Sequence, residues 1–162
     1  VGLVRDRAME ISRKLLERNV DLVLDMQLVE EGSLLHDIGI GHTDAPEIFC
    51  IGKASYIEHG TIGREILEKE GLPLHALIAE RHTGSGMSLE EIAAQGLPLP
   101  ARHMLPESLE EKIVCFADCF YSKNPEKLTE EYSVEEIRKG LAKFGQPSVD
   151  RFDEMAVLLN WA

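Results

Sequence analysis

Three segments of this chain open with the same signal: Ser88 with Glu91, Ser108 with Glu111, and Ser133 with Glu136. In each, the hydroxyl and the carboxylate three residues later can satisfy amides left free at a helix start. Further helices follow from apolar spacing. Val4, Ala8, Ile11 and Leu15 recur at the period of a helix face. Asp21 is placed to cap a second helix through "DLVLDMQLVEEGSLLHD", ending near Gly39. A third covers roughly Tyr56 to Glu70 and stops at Gly71-Leu72-Pro73; a shorter one covers Leu74 to about His82. A final helix is expected from about Ser148 to Trp161, where Leu158, Leu159 and Trp161 suggest an apolar face packed on the core or on a second copy. Residues 38–55 hold three Gly and one Pro and read as a long loop, a length often tied to function. Strand signals are weak, and the expected fold class is all-α.

A chain of 162 residues is long enough to bury a core and is most simply one domain, 1–162. No apolar run reaches the roughly eighteen residues a membrane-spanning helix needs, and no signal peptide is evident. The chain begins "VGLVRDRAMEI", without Met and already inside a helical pattern, so residues are expected before Val1. Cys50, Cys115 and Cys119 are odd in number, and reduced thiols in a cytoplasm are expected. Cys115 and Cys119 are read as two buried small hydrophobes, with a metal role as the alternative. The formal net charge is −12, and no Lys/Arg run of the kind that grips a phosphate backbone is present. Nucleic acid and membrane are therefore not expected partners. A small phosphorylated substrate would need a local cationic site, made of metal or of clustered Arg and Lys.

"LLHDIGIGHTDAP", Leu34–Pro46, places His36 and Asp37 at the carboxyl end of the second helix. That end carries partial negative charge and favours a cation. A capping His with a solvated Asp is the alternative. Asp118 lies in "KIVCFADCFY", a helix apolar nearly all round and so buried. A carboxylate there requires a partner, and a salt bridge and a metal both serve. His59 opens the third helix between small residues, and His82 precedes the turn "TGSG". Imidazole plus carboxylate suits iron, manganese, zinc, cobalt or nickel, with magnesium less favoured. Two such ions sharing a carboxylate would neutralise a phosphate and generate hydroxide.

These segments resemble the HD-domain superfamily of metal-dependent phosphohydrolases, in its HDIG subgroup. "LLHDIG", "EHGTIGREILEKEGLP", "ERHTGSGMSLEEI" and "SLEEKIVCFADCFY" match in order, over about Val4 to Lys123. The resemblance implies an all-helical core at about 4–123 with a metal site among the core helices, and leaves 124–162 as a helical extension. It implies His36 and Asp37 as metal ligands, Asp37 bridging where two ions bind, Asp118 as the closing ligand, and His59 and His82 as the extra ligands of di-metal members. One departure is plain. The family's first His would fall immediately before Val1, so either the recorded chain starts just after it or the protein lacks it.

The expected function is hydrolysis of a phosphoester in a small molecule, most simply a nucleotide, by one or two divalent transition-metal ions. Asp37 could steer the proton of the attacking water. Arg81 is the best candidate cation, followed by Lys112 and Arg64; Arg64, Arg81 and His42 are the candidate substrate contacts. His75 and His103 are expected to be bystanders. A catalytically impaired nucleotide-binding module is the rival, and a homodimer is possible.

Overall fold

The computed structural model describes residues 1–161. Eight helices carry the fold among them: α1 (Gly2–Arg18), α2 (Met26–Leu35), α3 (His59–Lys69), α4 (Pro73–Arg81), α5 (Leu89–Gln95), α6 (Leu109–Asp118), α7 (Val134–Leu141) and α8 (Gln146–Leu158). The expected all-α class holds. The long loop between α2 and α3 adds one small element, an antiparallel pair β1 (Asp44–Ala45) and β2 (Cys50–Ile51), in register Asp44 to Ile51.

The second helix starts later than its sequence suggests. Asp25, not Asp21, is its cap, with Oδ1 accepting from the Leu28 N–H at 2.9 Å. Residues before it are non-helical: Leu22 and Leu24 pack on the core while Val20 and Val23 are 90% and 91% exposed. That alternation belongs to extended chain, whose side chains point to opposite sides in turn.

Two of the three Ser-Glu starts form complete boxes, at Ser88–Glu91 and Ser133–Glu136. The third is half a box. Ser108 accepts from the Glu111 N–H at 3.1 Å, but the Glu111 carboxylate turns away to the Glu107 N–H and to Arg81, at 2.8 and 2.9 Å. Each side-chain cap contributes about 1 kcal/mol.

α6 is the central strut. Ile113, Val114, Cys115, Phe116 and Ala117 are fully buried between α1, α2, α4 and α8. α8 lays its apolar face on this strut, with Phe152 stacked on Phe116 at 4.9 Å between centroids; beyond the ends of the two helices Trp161 meets Phe120 edge-on at 5.3 Å. The last helix therefore covers the core of its own chain. With α6 clamped on all sides, the end that bears Asp118 has a fixed position.

Candidate metal centre

Four helix ends meet at one point. His36 is the C-cap of α2, with Asp37 in the turn that follows; α3 begins on His59, His82 is the C-cap of α4, and α6 ends on Asp118. Three of these are carboxyl ends, whose unpaired carbonyls favour a cation.

Glycine lets them approach. A Cβ on Gly39 would lie 2.2 Å from the His59 carbonyl oxygen, so the turn carrying Asp37 rests directly on the start of α3. A Cβ on Gly60 would lie 2.7 Å from the Ala79 carbonyl oxygen, where α3 crosses α4. Only glycine allows backbones this close, and the result is that His59 faces His82.

The three imidazoles are oriented alike. Nδ1 of His36, His59 and His82 lies 2.7, 2.7 and 2.8 Å from the carbonyl oxygens of Ser33, Tyr56 and Ala79. A carbonyl only accepts, so each Nδ1–H donates and each Nε2 turns inward. His36 Nε2 lies 3.2 Å from both Asp37 Oδ2 and Asp118 Oδ1. Asp37 Oδ1 lies 3.4 Å from His82 Nε2 and 3.6 Å from His59 Nε2, and those two nitrogens are 3.1 Å apart. Lone pairs thus face lone pairs. His36 Nε2 and Asp37 Oδ1 are buried with no hydrogen-bond partner. Buried polar atoms are rarely left so, and a positive charge placed among them answers all five groups at once.

A proton takes that part where no ion does. Burial disfavours a charged imidazole at His36, but the carboxylates of Asp118 and Asp37, each with an oxygen 3.2 Å from Nε2, outweigh it and raise the group to about 9. Burial would raise the Asp37 carboxyl, yet the His36 and His82 imidazoles set against its oxygens, and the charge of Lys123, hold it far below the usual range. Asp118 is likewise held down against burial, by the charge of Lys123 and by His36. At His59, burial and then the neighbouring His82 lower the group to about 4.

The donor set fits a divalent cation. His36, Asp37 and His82 alone offer ligand atoms within 4.8 Å of one another. Sulfur is absent from it: the Cys115 and Cys119 thiols point to the Gly84 carbonyl oxygen at 3.4 and 3.1 Å, and burial pushes both thiols up. The centre opens on a cavity of about 430 Å³ whose walls include Val4, Ile48, Cys50, Asp37, Asp118 and Lys123.

Lys123 was not anticipated. Its Nζ lies 3.2 Å from Asp37 Oδ2 and 3.7 Å from Asp118 Oδ2. Burial works against its charge, but Asp118 and Asp37 more than restore it and hold the ammonium charged well above the ordinary lysine range. The readable signal was a cation in "DCFYSK", five positions after a buried carboxylate.

The other expected cations stand elsewhere. Arg81 Nη1 is held by Glu111 at 2.9 Å and Glu107 at 3.3 Å. Consecutive helix residues diverge by about 100°, so Arg81 turns away from the centre that His82 enters. Arg64 pairs with Glu80 at 2.5 Å and Glu68 at 2.8 Å. Lys112 donates to the Glu107 carbonyl at 2.8 Å on the surface, and His42 is exposed in a 3-10 turn. His75 pairs with Glu31 at 2.9 Å, and His103 Nδ1 accepts from the Leu89 N–H at 3.1 Å.

Comparison with known proteins finds relatives and a family. An uncharacterized protein of Methanocaldococcus jannaschii is 39% identical over 146 residues, 88% of this chain and 74% of its own length. The tRNA (cytidine(56)-2'-O)-methyltransferase of Picrophilus torridus is 40% identical over 69% of this chain, and that of Thermoplasma volcanium 34% identical over 71%; this chain spans 30% of the length of each. No solved structure matches. No helix among the described residues is long and apolar enough to cross a membrane. A family model described as the HD domain matches residues 4–122, the stretch that contains His36, Asp37, His59, His82 and Asp118, and the chain belongs to that family.

Proposed function

We propose that this protein is a metal-dependent phosphohydrolase acting on a small phosphorylated molecule, with a nucleotide as the favoured substrate. The observation that carries this reading is the inward convergence of three imidazole Nε2 atoms on two carboxylates that line an open cavity, with His36 Nε2 and Asp37 Oδ1 buried and unpaired. His36, Asp37, His59, His82 and Asp118 would hold one or two divalent transition ions. Iron, manganese, zinc, cobalt and nickel suit such donors better than magnesium. When bound, the metal supplies Lewis acidity toward a phosphoryl oxygen and makes water a nucleophile at neutral pH.

The chain's own groups do the rest. Asp37, at the centre of the cluster, would steer the proton of the attacking water. Lys123, on the cavity wall, supplies a cation for a phosphoryl oxygen. A chain of net charge −12 repels anions at long range, which favours a small substrate captured at this local positive site. A cytoplasmic setting agrees with the free thiols.

The test uses protein expressed with whatever residues its gene encodes before Val1 and purified without chelator. Metal is counted, and turnover is measured with Mn²⁺, Fe²⁺, Co²⁺ and Ni²⁺ on nucleoside monophosphates, cyclic dinucleotides and generic phosphoesters. A short RNA with a terminal phosphate joins the panel, because two relatives are named for action on tRNA. The expected result is stoichiometric metal and turnover of at least one small phosphoester, lost in Asp37→Ala. Equal activity in that variant would falsify the mechanism. Tight nucleotide binding without turnover would favour a regulatory module instead.

A further inference from the structure

Five side chains suffice to hold an ion, yet a sixth group stands among them. Lys123 reaches in from the loop after α6, and its ammonium contacts Oδ2 of both Asp37 and Asp118, at 3.2 and 3.7 Å. The side chain is only 25% exposed. These carboxylates are the ones an ion would need. A divalent ion on them would stand within a few ångströms of the ammonium, and repulsion at that range is strong in a medium less polar than water. The two cations therefore compete for the same oxygens.

There is room for one to yield. Lysine has a flexible four-carbon stem. Lys123 stands between the cavity of about 430 Å³ that opens on the carboxylates and a second of about 320 Å³ walled by Glu47, Tyr56 and Asn124. Without any cation, two buried carboxylates facing each other would be costly. With the ammonium present, the centre keeps its shape before an ion arrives.

The geometry points to Lys123 as a tethered counter-ion, which neutralises Asp37 and Asp118 in the metal-free protein, competes with the incoming ion for them, and is turned out into the cavity when the ion binds. Lys123 thus weakens metal affinity and at the same time stabilises the metal-free fold. Once displaced, its ammonium faces the space where a phosphate would lie. The inference rests on the centre taking an ion, as proposed above.

Lys123→Met keeps the stem and removes the charge. Titration with Mn²⁺ alone, by calorimetry or chelator competition, should show affinity at least tenfold tighter in this variant than in the parent. The melting temperature of the metal-free variant should fall, and Lys123→Arg should keep both properties near the parent's. Unchanged or weaker Mn²⁺ binding in Lys123→Met overturns the proposal. A second measurement needs no variant. In the parent protein, an amine-reactive label read by mass spectrometry should modify Lys123 slowly without metal and faster with Mn²⁺; an equal or slower rate also overturns it. If the parent binds no Mn²⁺ at all, the metal-centre reading falls too, whereas binding with no effect of Lys123 overturns this inference alone.

Discussion

Glu80 and His82 stand two residues apart at the end of α4, on opposite sides of the helix, and each belongs to a buried polar cluster. The Glu80 side chain is 1% exposed and fully answered. Arg64 Nη1 and Arg102 Nη2 each reach one of its oxygens at 2.5 Å, and Arg102 Nε adds a third contact at 3.1 Å. Planar guanidinium groups are suited to saturating a carboxylate in this way. On the other side, five groups converge and still leave His36 Nε2 and Asp37 Oδ1 without a hydrogen bond. One cluster is closed by its own counter-charges. The other, even with the Lys123 ammonium on its carboxylates, leaves lone pairs unanswered. A buried charge by itself therefore says little; what distinguishes a site from a strut is the lone pair left over.

The largest expected contrast comes from removing one carboxylate charge on each side. Asp37→Asn should lower Mn²⁺ affinity by well over a hundredfold, more than the 10–100-fold lost when a group behind a ligand is removed. The metal-free fold should lose less, because Asp118 still faces both Lys123 and His36. Glu80→Gln should do the reverse. It leaves Arg102 without an anion and Arg64 with Glu68 alone, and should destabilise the protein by about 2–4 kcal/mol, at the low end if Arg102, 45% exposed, finds water. Its Mn²⁺ affinity should stay within about twofold, since changes at one cluster add nearly independently to the other. Calorimetry and denaturant titration read both. A metal defect in Glu80→Gln would show that the two clusters are not separable.

How far this contrast could be read beforehand depends on what each part requires. The His36-Asp37 pair was legible because it closes a helix at the end that favours a cation, and Asp118 because a carboxylate inside an apolar helix needs a partner. Whether Asp118 faced a salt bridge or a metal was not legible, since both demand the same sequence, and only distances separate them. Arg81 and Arg64 attracted attention by standing next to site histidines or on their helices. Neighbours along a helix point apart, and both arginines went to glutamates. Lys123 was overlooked for the opposite reason. It lies beyond the end of α6, where helical periodicity no longer predicts direction, and a turn closed by the Tyr121 N–H on the Asp118 carbonyl at 3.1 Å brings it back. The start of α2 was misplaced because Val20–Leu24 is apolar enough for a helix but alternates as extended chain does.

A smaller effect tests how the open cluster is held together from behind. Gly39→Ala puts a methyl group where the His59 carbonyl already lies, so the turn bearing Asp37 must lift from α3. The cost should be about 1–3 kcal/mol of stability. Mn²⁺ affinity should fall about tenfold or more, because ligand geometry is set by such supports. Gly71→Ala makes the control, since a Cβ there meets nothing within 4 Å, and the loss is confined to strain at its φ of +76°. That control should cost stability and leave metal affinity alone. Equal metal affinity in the two variants would mean that the contact between the turn and α3 does not position Asp37.

The smallest effect is on the pH dependence of stability, and it reports on the open cluster alone. His36 is raised from 6.5 to about 9, so its contribution is fully present below pH 6.5 and is lost as pH climbs through 9. His59 is lowered from 6.5 to about 4, so its contribution is present above pH 6.5 and is lost as pH falls through 4. Asp37 and Asp118 are both depressed and stay ionised throughout that window. The two histidines together place the optimum of the metal-free protein near pH 6.5, with melting temperature falling by about 5 °C on either side. On the proposed reading, an ion in the cluster would do the work of the His36 proton. The loaded protein should therefore keep its melting temperature from pH 6.5 to 9, and Mn²⁺ should bind more tightly as pH rises through that range, because binding displaces a proton. Identical alkaline limbs with and without Mn²⁺ would show that the proton on His36 is not standing in the ion's place, and the open cluster would then be as closed as the one around Glu80.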